Sequence, residues 1–191
     1  MKNFCLLLAA VCGLASTGVT TPADDAEAVV RTGIDKALNV TSHSQGGPAM
    51  TAQLQPILET HIDFGAMTRR AVGPGWKQFN PQQQAEATKL FTKLIIRSYT
   101  KGFTPGEQPE IKLLKSSVPA PDKVEVPTTM LYKGSRYGVS YRLENRGKWL
   151  VTDIQVEGVS LVANYRAQFD ELFKKGGAEA VIGSLKQSVA Q

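Results

Sequence analysis

The feature that most constrains the fold of this chain is a change in its hydrophobic periodicity at residues 104–106, Thr-Pro-Gly. Before this point apolar residues recur every three or four positions, which is typical of amphipathic helices. Between Glu110 and Val156 they alternate with polar residues, which is typical of half-buried strands. Helical spacing returns after Gly158. Helices that are followed by consecutive strands and then by more helices predict an α+β domain.

Short turn signals divide the alternating segment into four strands. The turns fall at residues 119–122, 133–135 and 145–147, and each is short enough to join antiparallel neighbours. The sequence therefore predicts a four-stranded antiparallel meander that is wrapped by N-terminal and C-terminal helices. Pro127 interrupts the second strand. Because proline has no N–H group to donate to a neighbouring strand, an edge position or a bulge is expected there.

Capping residues mark the helices most clearly. Asn80 followed by Pro81 is an N-cap with proline at the first helical position, and it predicts a long helix. A shorter helix begins at Asp63 and is expected to end near Gly73. A pair of glycines at residues 176–177 predicts the end of the helix that follows the strands, and a final helix comes after it.

The first residues have the layout of a secretory signal peptide. A short basic start precedes an apolar run over residues 4–14, which is too short to span a bilayer. Small and polar residues follow this run. We predict a signal peptide over residues 1–23, with cleavage between residues 15 and 23, and a single domain over residues 24–191.

Both cysteines of the chain, Cys5 and Cys12, lie in this predicted leader. An alternative is that Cys12 accepts a lipid anchor, although Val11 precedes it where a small residue is usual. If the leader is removed, the mature chain has neither a thiol nor a disulfide, so the core alone must hold the exported domain together.

Few residues suit catalysis. The two histidines, His43 and His61, lack metal-ligand spacing, and no nucleophile motif occurs. The sequence therefore predicts no catalytic residue, no metal ion and no cofactor. If the protein is instead an α+β enzyme with a pocket, Tyr141 and Asp153 are the candidate acid–base residues.

The charge of the chain is modestly basic. It has 22 lysines and arginines against 17 aspartates and glutamates, a formal net charge of +5. In the sequence these basic residues are scattered and are not interleaved with aromatic residues. This pattern predicts no nucleic-acid partner.

Aromatic and aliphatic residues on several predicted elements allow two interpretations. One is an ordinary filled core, and the other is a core that is partly open for an apolar ligand. A sheet that faces long helices is a usual position for such a pocket. Periodicity does not distinguish the two, because the same residues are apolar in both.

Three stretches together resemble the MlaC family of periplasmic phospholipid carriers and its toluene-tolerance relatives. The first runs from Ile62 to Trp76 and contains Asp63-Phe64 before a glycine and a tryptophan. The second is the helix Phe91 to Tyr99. The third and most distinctive runs from Gly158 to Phe169. The predicted leader, the size of the chain and the late pair of glycines agree with this resemblance, which covers most of the mature chain.

The resemblance implies a soluble periplasmic lipid carrier with an apolar lipid pocket between the sheet and the helices. Such carriers shuttle phospholipid between an outer-membrane lipoprotein complex and an inner-membrane ABC transporter with an MCE-domain subunit, and so support outer-membrane lipid asymmetry. One branch of the family is associated with hopanoids, so a hopanoid is the alternative ligand. An adaptor with a filled core is a further alternative.

Under this resemblance, individual residues receive expected roles. Arg166 is expected either to form an ion pair that ties helices together or to meet a phosphate group or a buried carboxylate such as Asp63. Trp76 is expected to fix the turn at residues 73–75 rather than to contact the lipid. The residues expected to contact the lipid are Phe64, Met67, Leu94, Tyr99, Met130, Tyr141, Val162, Tyr165 and Phe169.

Overall fold

The computed structural model describes residues 20–102, 104 and 106–190. The predicted signal peptide therefore lies almost entirely outside the described residues. The first half of the described chain is helical, and a 3-10 turn joins its last two helices: α1 (Pro22–His43), α2 (Gly47–His61), α3 (Phe64–Val72), the 3-10 turn (Gly73–Gln78) and α4 (Pro81–Thr100). Among the described helices, none combines the length and apolarity that a membrane-spanning segment needs.

Side-chain caps explain where three of these helices begin. The Asn80 side chain accepts a hydrogen bond from the Gln83 backbone N–H, and the Gln83 side-chain oxygen accepts one from the Asn80 N–H, which confirms the predicted cap of α4. Thr21 and Asp24 form the same reciprocal box at the start of α1. Asp63 begins α3 by accepting from the Ala66 N–H at 2.8 Å.

The second half contains the sheet and the last helix. Its elements are β1 (Glu110–Leu113), β2 (Ser117–Ala120), β3 (Lys123–Tyr132), β4 (Ser135–Asn145), β5 (Trp149–Val156), β6 (Val159–Ser160) and α5 (Leu161–Ala190). The backbone of α5 leaves the helical region at Gly176 and Gly177, where the sequence predicts the break.

The strands form one antiparallel sheet in the order β1-β3-β4-β5-β6, and β2 also pairs with β3. The predicted α+β class is confirmed. The sheet has six strands rather than four because the predicted first strand is divided into β1 and β2, and because the short β6 adds to the far edge.

The expected edge position of Pro127 is wrong, and the register shift next to it lies in the neighbouring strands rather than in β3 itself. β3 lies in the interior of the sheet, with β4 on one side and both β1 and β2 on the other. Its register with β4 is unbroken at Pro127, which pairs with Ser140. The irregularity lies in the neighbouring edge instead. The Leu114 N–H donates to the Pro127 carbonyl oxygen at 2.8 Å, and the edge then leaves the ladder until Ser117. The missing N–H of the proline is tolerated because the edge is interrupted beside it.

Two apolar clusters fill the interior. The helical cluster brings together α3, α4 and α5, and the sheet cluster joins α1 to the strands. Ile62, between α2 and α3, packs against both. The buried members of the sheet cluster are Ala26, Val30, Val124, Val126, Leu143, Trp149 and Val151.

Candidate functional site

The candidate site is built on the sheet face that α1 partly covers. Residues of β3 and β4 alternate between the two faces, so the face that carries Val124 and Val126 continues beyond the sheet cluster. We call this continuation the distal inner face, and it consists of Thr128, Met130, Tyr137, Val139 and Tyr141. Thr128 and Val139 are buried, and the other three side chains are partly exposed. Partly exposed large side chains on an inward face leave apolar surface that a ligand can cover.

Tyr141 carries a phenol hydroxyl on this face. Part of the Tyr141 side chain is exposed, but burial of the phenol group raises its pKa to about 12, although an interaction with the Thr128 hydroxyl acts in the opposite direction. The phenol is therefore neutral at physiological pH, and it offers a hydrogen-bonding hydroxyl rather than a base. The Thr128 hydroxyl itself donates to the Val139 carbonyl oxygen at 3.0 Å.

The residues expected to contact a lipid fall into two groups. Met130 and Tyr141 lie on the distal inner face, on neighbouring strands. Six others lie in or against the helical cluster: Phe64, Met67, Leu94, Val162, Tyr165 and Phe169. The side chain of Tyr99 lies outside the described residues. The structure therefore brings the expected residues together as two sets, and their contact with a lipid stays a prediction.

The helical cluster is densely packed around one aromatic ring. Phe91 is fully buried, and its ring centroid lies 5.0 Å from that of Tyr165 and 5.8 Å from that of Phe169, both in edge-on contact. Met67 is also fully buried, and Phe64 is 5% exposed. A ligand reaches these side chains only if their neighbours move, whereas Leu94 and Tyr165 are already partly exposed.

Arg166 does not pair with Asp63, so the carboxylate named as an example is wrong, whereas its contact with Arg70 joins α5 to α3. Its Nε atom donates to Asp170 at 3.0 Å, and its Nη1 atom donates to the Arg70 carbonyl oxygen at 3.2 Å. Asp63 caps α3 and lies 3.9 Å from Arg146 instead. The reason is geometric, because Arg166 and Asp170 are four residues apart on one helix and face the same side.

Trp76 lies in the 3-10 turn and packs against the helical cluster. Its ring stacks on Phe79 at 5.5 Å between centroids, and Phe79 stacks on Phe173 at 6.1 Å. A Cβ atom on Gly75 would lie 2.9 Å from the Phe173 ring. Glycine is needed at this position because the aromatic ring approaches the backbone so closely.

Asp153, one of the two acid–base candidates, lies where β5 meets the start of α5. Thr152 is the extra residue of a bulge between β4 and β5, and Asp153 follows it. The carboxylate accepts from the backbone N–H groups of Ile154 and Val162 and from the Ser160 hydroxyl. It thus anchors the start of α5. In the described part of the chain, no group of three or more His, Cys, Asp or Glu side chains is arranged to hold a metal ion.

An ion-pair group lies where α3 meets the β4–β5 turn. Arg70 donates to Glu144 at 2.5 Å, and Arg146 donates to the other oxygen of Glu144 at 2.8 Å. Burial raises the pKa of Glu144, but the hydrogen bonds and charges of the two arginines outweigh it, so the pKa lies below its ordinary value. This carboxylate is charged at neutral pH and ties the helical half to the sheet.

Sequence reasoning missed two features of the site region. Tyr137 and Val139 complete the distal inner face, and their alternation with Tyr141 is a signal that could have identified them. The Tyr132 hydroxyl accepts from the Thr104 N–H at 2.8 Å and so joins the loop after α4 to β3. No local signal indicates this second contact, because it joins residues far apart in the chain.

The fold and this face define a class: a small α+β domain in which helices overlie one face of an antiparallel sheet. A protein-family model described as MlaC protein matches residues 24–187. The chain therefore belongs to the MlaC family, and the resemblance found in its sequence is confirmed. No curated protein sequence matches the chain.

A solved structure with a similar fold carries a ligand. It is the phospholipid-binding protein from Ralstonia solanacearum, determined in complex with a phospholipid. The two chains are 27% identical and superpose with a TM-score of 0.81, and the match covers 87% of this chain and 98% of that one.

Proposed function

We propose that this protein is a periplasmic phospholipid carrier rather than an enzyme. The acyl chains lie against the distal inner face, beneath the helices, and the head group faces solvent. The carrier exchanges its lipid with an outer-membrane lipoprotein complex and with an inner-membrane ABC transporter that has an MCE-domain subunit. In this role it supports the lipid asymmetry of the outer membrane.

The observation that carries the proposal is the partly exposed apolar surface of Met130, Tyr137 and Tyr141 on an inward sheet face. It is supported by a relative that shares the fold and was solved with a phospholipid. The state of the two acid–base candidates is compatible with binding. Tyr141 is neutral at physiological pH, and the Asp153 carboxylate is engaged by backbone N–H groups.

The energetics suit a carrier that must release its cargo. Each buried methylene contributes about 0.8 kcal/mol, so one acyl chain gains on the order of 10 kcal/mol relative to water. The donor bilayer is equally apolar, so the difference between bilayer and pocket is far smaller. A pocket without reactive groups can therefore hold the lipid in an aqueous compartment and return it to a membrane.

Lipid extraction and mass spectrometry of the protein purified from its own host test the ligand. We expect a stoichiometric phospholipid. A stoichiometric hopanoid would keep the carrier but replace the ligand class. A protein that contains no lipid, and that takes up none from vesicles of phosphatidylcholine and phosphatidylglycerol, would contradict the proposal.

A pair of neighbouring variants tests the position of the pocket. Met130→Trp places an indole on the distal inner face, and we expect it to reduce bound phospholipid severely. Leu131→Trp is the matched control, because Leu131 is the next residue of β3, points to the opposite face and is 40% exposed. Both proteins are compared by lipid content and by thermal unfolding. Equal lipid content in two folded variants would show that the ligand does not lie on this face.

A further inference from the structure

A row of inward-facing residues continues from the distal inner face to the β6 edge of the sheet. Thr128 of β3 lies opposite Val139 of β4. Val139 in turn lies opposite Val156 of β5, which lies opposite Val159 of β6. Residues directly opposite each other on antiparallel strands project from the same face. We call these four residues the inner row, and they cross three strand spacings, or about 14 Å.

The inner row becomes more exposed toward the β6 edge. Thr128 and Val139 are buried, and Val156 is partly exposed. Val159, at the edge itself, is 61% exposed, and no other large apolar side chain among the described residues is as exposed. An apolar surface therefore leads from the buried part of the distal inner face to open solvent.

The position of Val159, rather than its exposure alone, indicates a function. Single exposed apolar side chains are ordinary on protein surfaces. Val159, however, has Val156 as its cross-strand partner, and Ile154 lies two residues along β5 on the same face. Both of these side chains are also partly exposed. An apolar surface that continues from a pocket wall to a sheet edge suits a ligand that has to cross that edge.

The β6 edge is held in place by polar contacts on both sides of Val159. The Glu157 N–H donates to the Gly138 carbonyl oxygen at 2.8 Å, and the Gly138 N–H donates to the Glu157 carboxylate. On the other side, the Ser160 hydroxyl donates to Asp153 at 2.7 Å. The edge therefore does not depend on burial of the Val159 side chain for its conformation.

The opposite edge of the sheet is tied to α1. Ser116, between β1 and β2, donates to Glu27 of α1 at 2.6 Å. The Gln108 side chain, in the segment before β1, donates to the Leu38 carbonyl oxygen at 3.5 Å. A ligand that left the inner face across this edge would have to part these contacts, whereas the inner row leads to the β6 edge over apolar side chains alone.

We propose that the β6 edge is the mouth of the lipid pocket, across which an acyl chain enters and leaves over Val159 and Val156. This inference rests on the proposed function, and it names the route of the ligand. A methylene group that leaves an apolar surface for water is penalised, so a continuous apolar path keeps the chain in contact with the protein as it moves. The head group then lies in solvent beside β6, where a protein complex can receive the lipid.

Photo-crosslinking of the lipid-loaded protein tests this position. A photoreactive benzoylphenylalanine replaces Val159 in one sample and Val118 in the other. Val118 is the matched control, because it is also an exposed valine, 48% exposed, and lies on β2 at the opposite edge of the sheet. After irradiation, mass spectrometry measures the covalent adduct of protein and phospholipid. We expect an adduct at position 159, and no adduct above the unirradiated background at position 118.

A second pair of variants tests the route by exchange kinetics. Val159→Asp and Val118→Asp are compared for uptake of a fluorescent phosphatidylglycerol from phosphatidylcholine vesicles, which serve only as the lipid source. Both sites are exposed edge positions, where a charge is well tolerated, and thermal unfolding checks the fold. Val159→Asp should exchange lipid on the order of tenfold more slowly than the wild type, because the moving chain loses one apolar contact. Val118→Asp should exchange at the wild-type rate.

The outcomes separate this proposal from the carrier function. Equal adducts at positions 159 and 118, or equal exchange rates in the two aspartate variants, would overturn the mouth and leave a lipid-loaded carrier intact. Val159→Asp that exchanges lipid normally but no longer binds the MCE-domain subunit would also overturn it, because the edge would then be a protein contact only. A wild type that contains no lipid and takes up none would refute the carrier function, and the mouth with it.

Discussion

An alanine at Gly73 tests how closely Arg166 covers the end of α3. The backbone at Gly73 has φ +69° and ψ −138°, a region that residues with a side chain rarely enter. A methyl group there would lie 2.1 Å from the Arg166 Cζ atom. The guanidinium group must therefore move, and in moving it loses its bonds to the Arg70 carbonyl oxygen and to Asp170.

We expect Gly73→Ala to lower the free energy of unfolding by about 2–4 kcal/mol. The strained backbone accounts for about 1–3 kcal/mol of this loss. The hydrogen bond to the Arg70 carbonyl oxygen contributes about 1 kcal/mol. The pair with Asp170 adds little, because both side chains are more than a third exposed.

The assay is urea unfolding of the wild type, Gly73→Ala, Arg166→Ala and the double variant. Arg166→Ala removes the group that the new methyl would strike, so the two losses of stability should not add. The free energy of unfolding of the double variant should be about 1 kcal/mol higher than the sum of the two losses predicts. Gly183→Ala is the control, because a Cβ atom there has no heavy atom within 4 Å. That substitution in an exposed helix should raise stability by up to about 1 kcal/mol.

Two results would refute this reasoning. If the Gly73→Ala and Arg166→Ala losses are additive, Arg166 does not lie over Gly73 in solution. If Gly73→Ala unfolds at the same urea concentration as the wild type, the backbone at residue 73 does not have the glycine conformation. The end of α3 would then not require glycine, because either the close approach of Arg166 or the positive φ angle would be absent.

Three further predictions concern the charge cluster, the core and the first helix. Glu144→Gln should lower the free energy of unfolding by about 1–3 kcal/mol at pH 7. Because the pKa of Glu144 is lowered in the folded protein, its contribution to stability is present above the ordinary value of 4.5 and is lost as pH falls through the folded pKa. Urea unfolding at several pH values should therefore show the stability difference between wild type and variant shrinking in acid. Phe91→Ala should cost about 3–5 kcal/mol in urea unfolding, since it empties a fully buried site, and a loss below about 1 kcal/mol would contradict the packing. If the predicted leader is cleaved, N-terminal sequencing should find a start at or before Thr21, because loss of the Thr21 cap on α1 costs about 0.5–2 kcal/mol. A start after Thr21 would contradict this expectation.

The helices could be predicted because their signals are local. Asn80 and Pro81 define the start of α4 within four residues, and the cap forms between Asn80 and Gln83 as the sequence indicates. The break in α5 likewise needs only Gly176 and Gly177. In both cases the atoms that decide the conformation are near neighbours in the chain, so tertiary packing has little to override.

The sheet was predictable in class but not in every pairing. Alternation identifies strands and their faces, whereas the position of a strand at an edge or in the centre depends on which distant segments pair with it. Pro127 shows the limit. A proline that lacks an N–H group is compatible with an edge strand, or with a central strand whose neighbour is interrupted, and the chain uses the second solution between Leu114 and Ser117.

For the candidate site, too, local patterns predict which side chains face inward but not how they pack with distant segments. Helical periodicity identified Phe64 and Met67 as inward residues, but both a filled core and a pocket wall bury such side chains. Their packing around Phe91 depends on contacts with α5, which no local pattern specifies. On the sheet, alternation alone assigns Met130 and Tyr141 to one face, and their partial exposure there is what separates a surface open to a ligand from a packed one. We therefore expect the lipid to rest first on the strands, where apolar surface is already accessible.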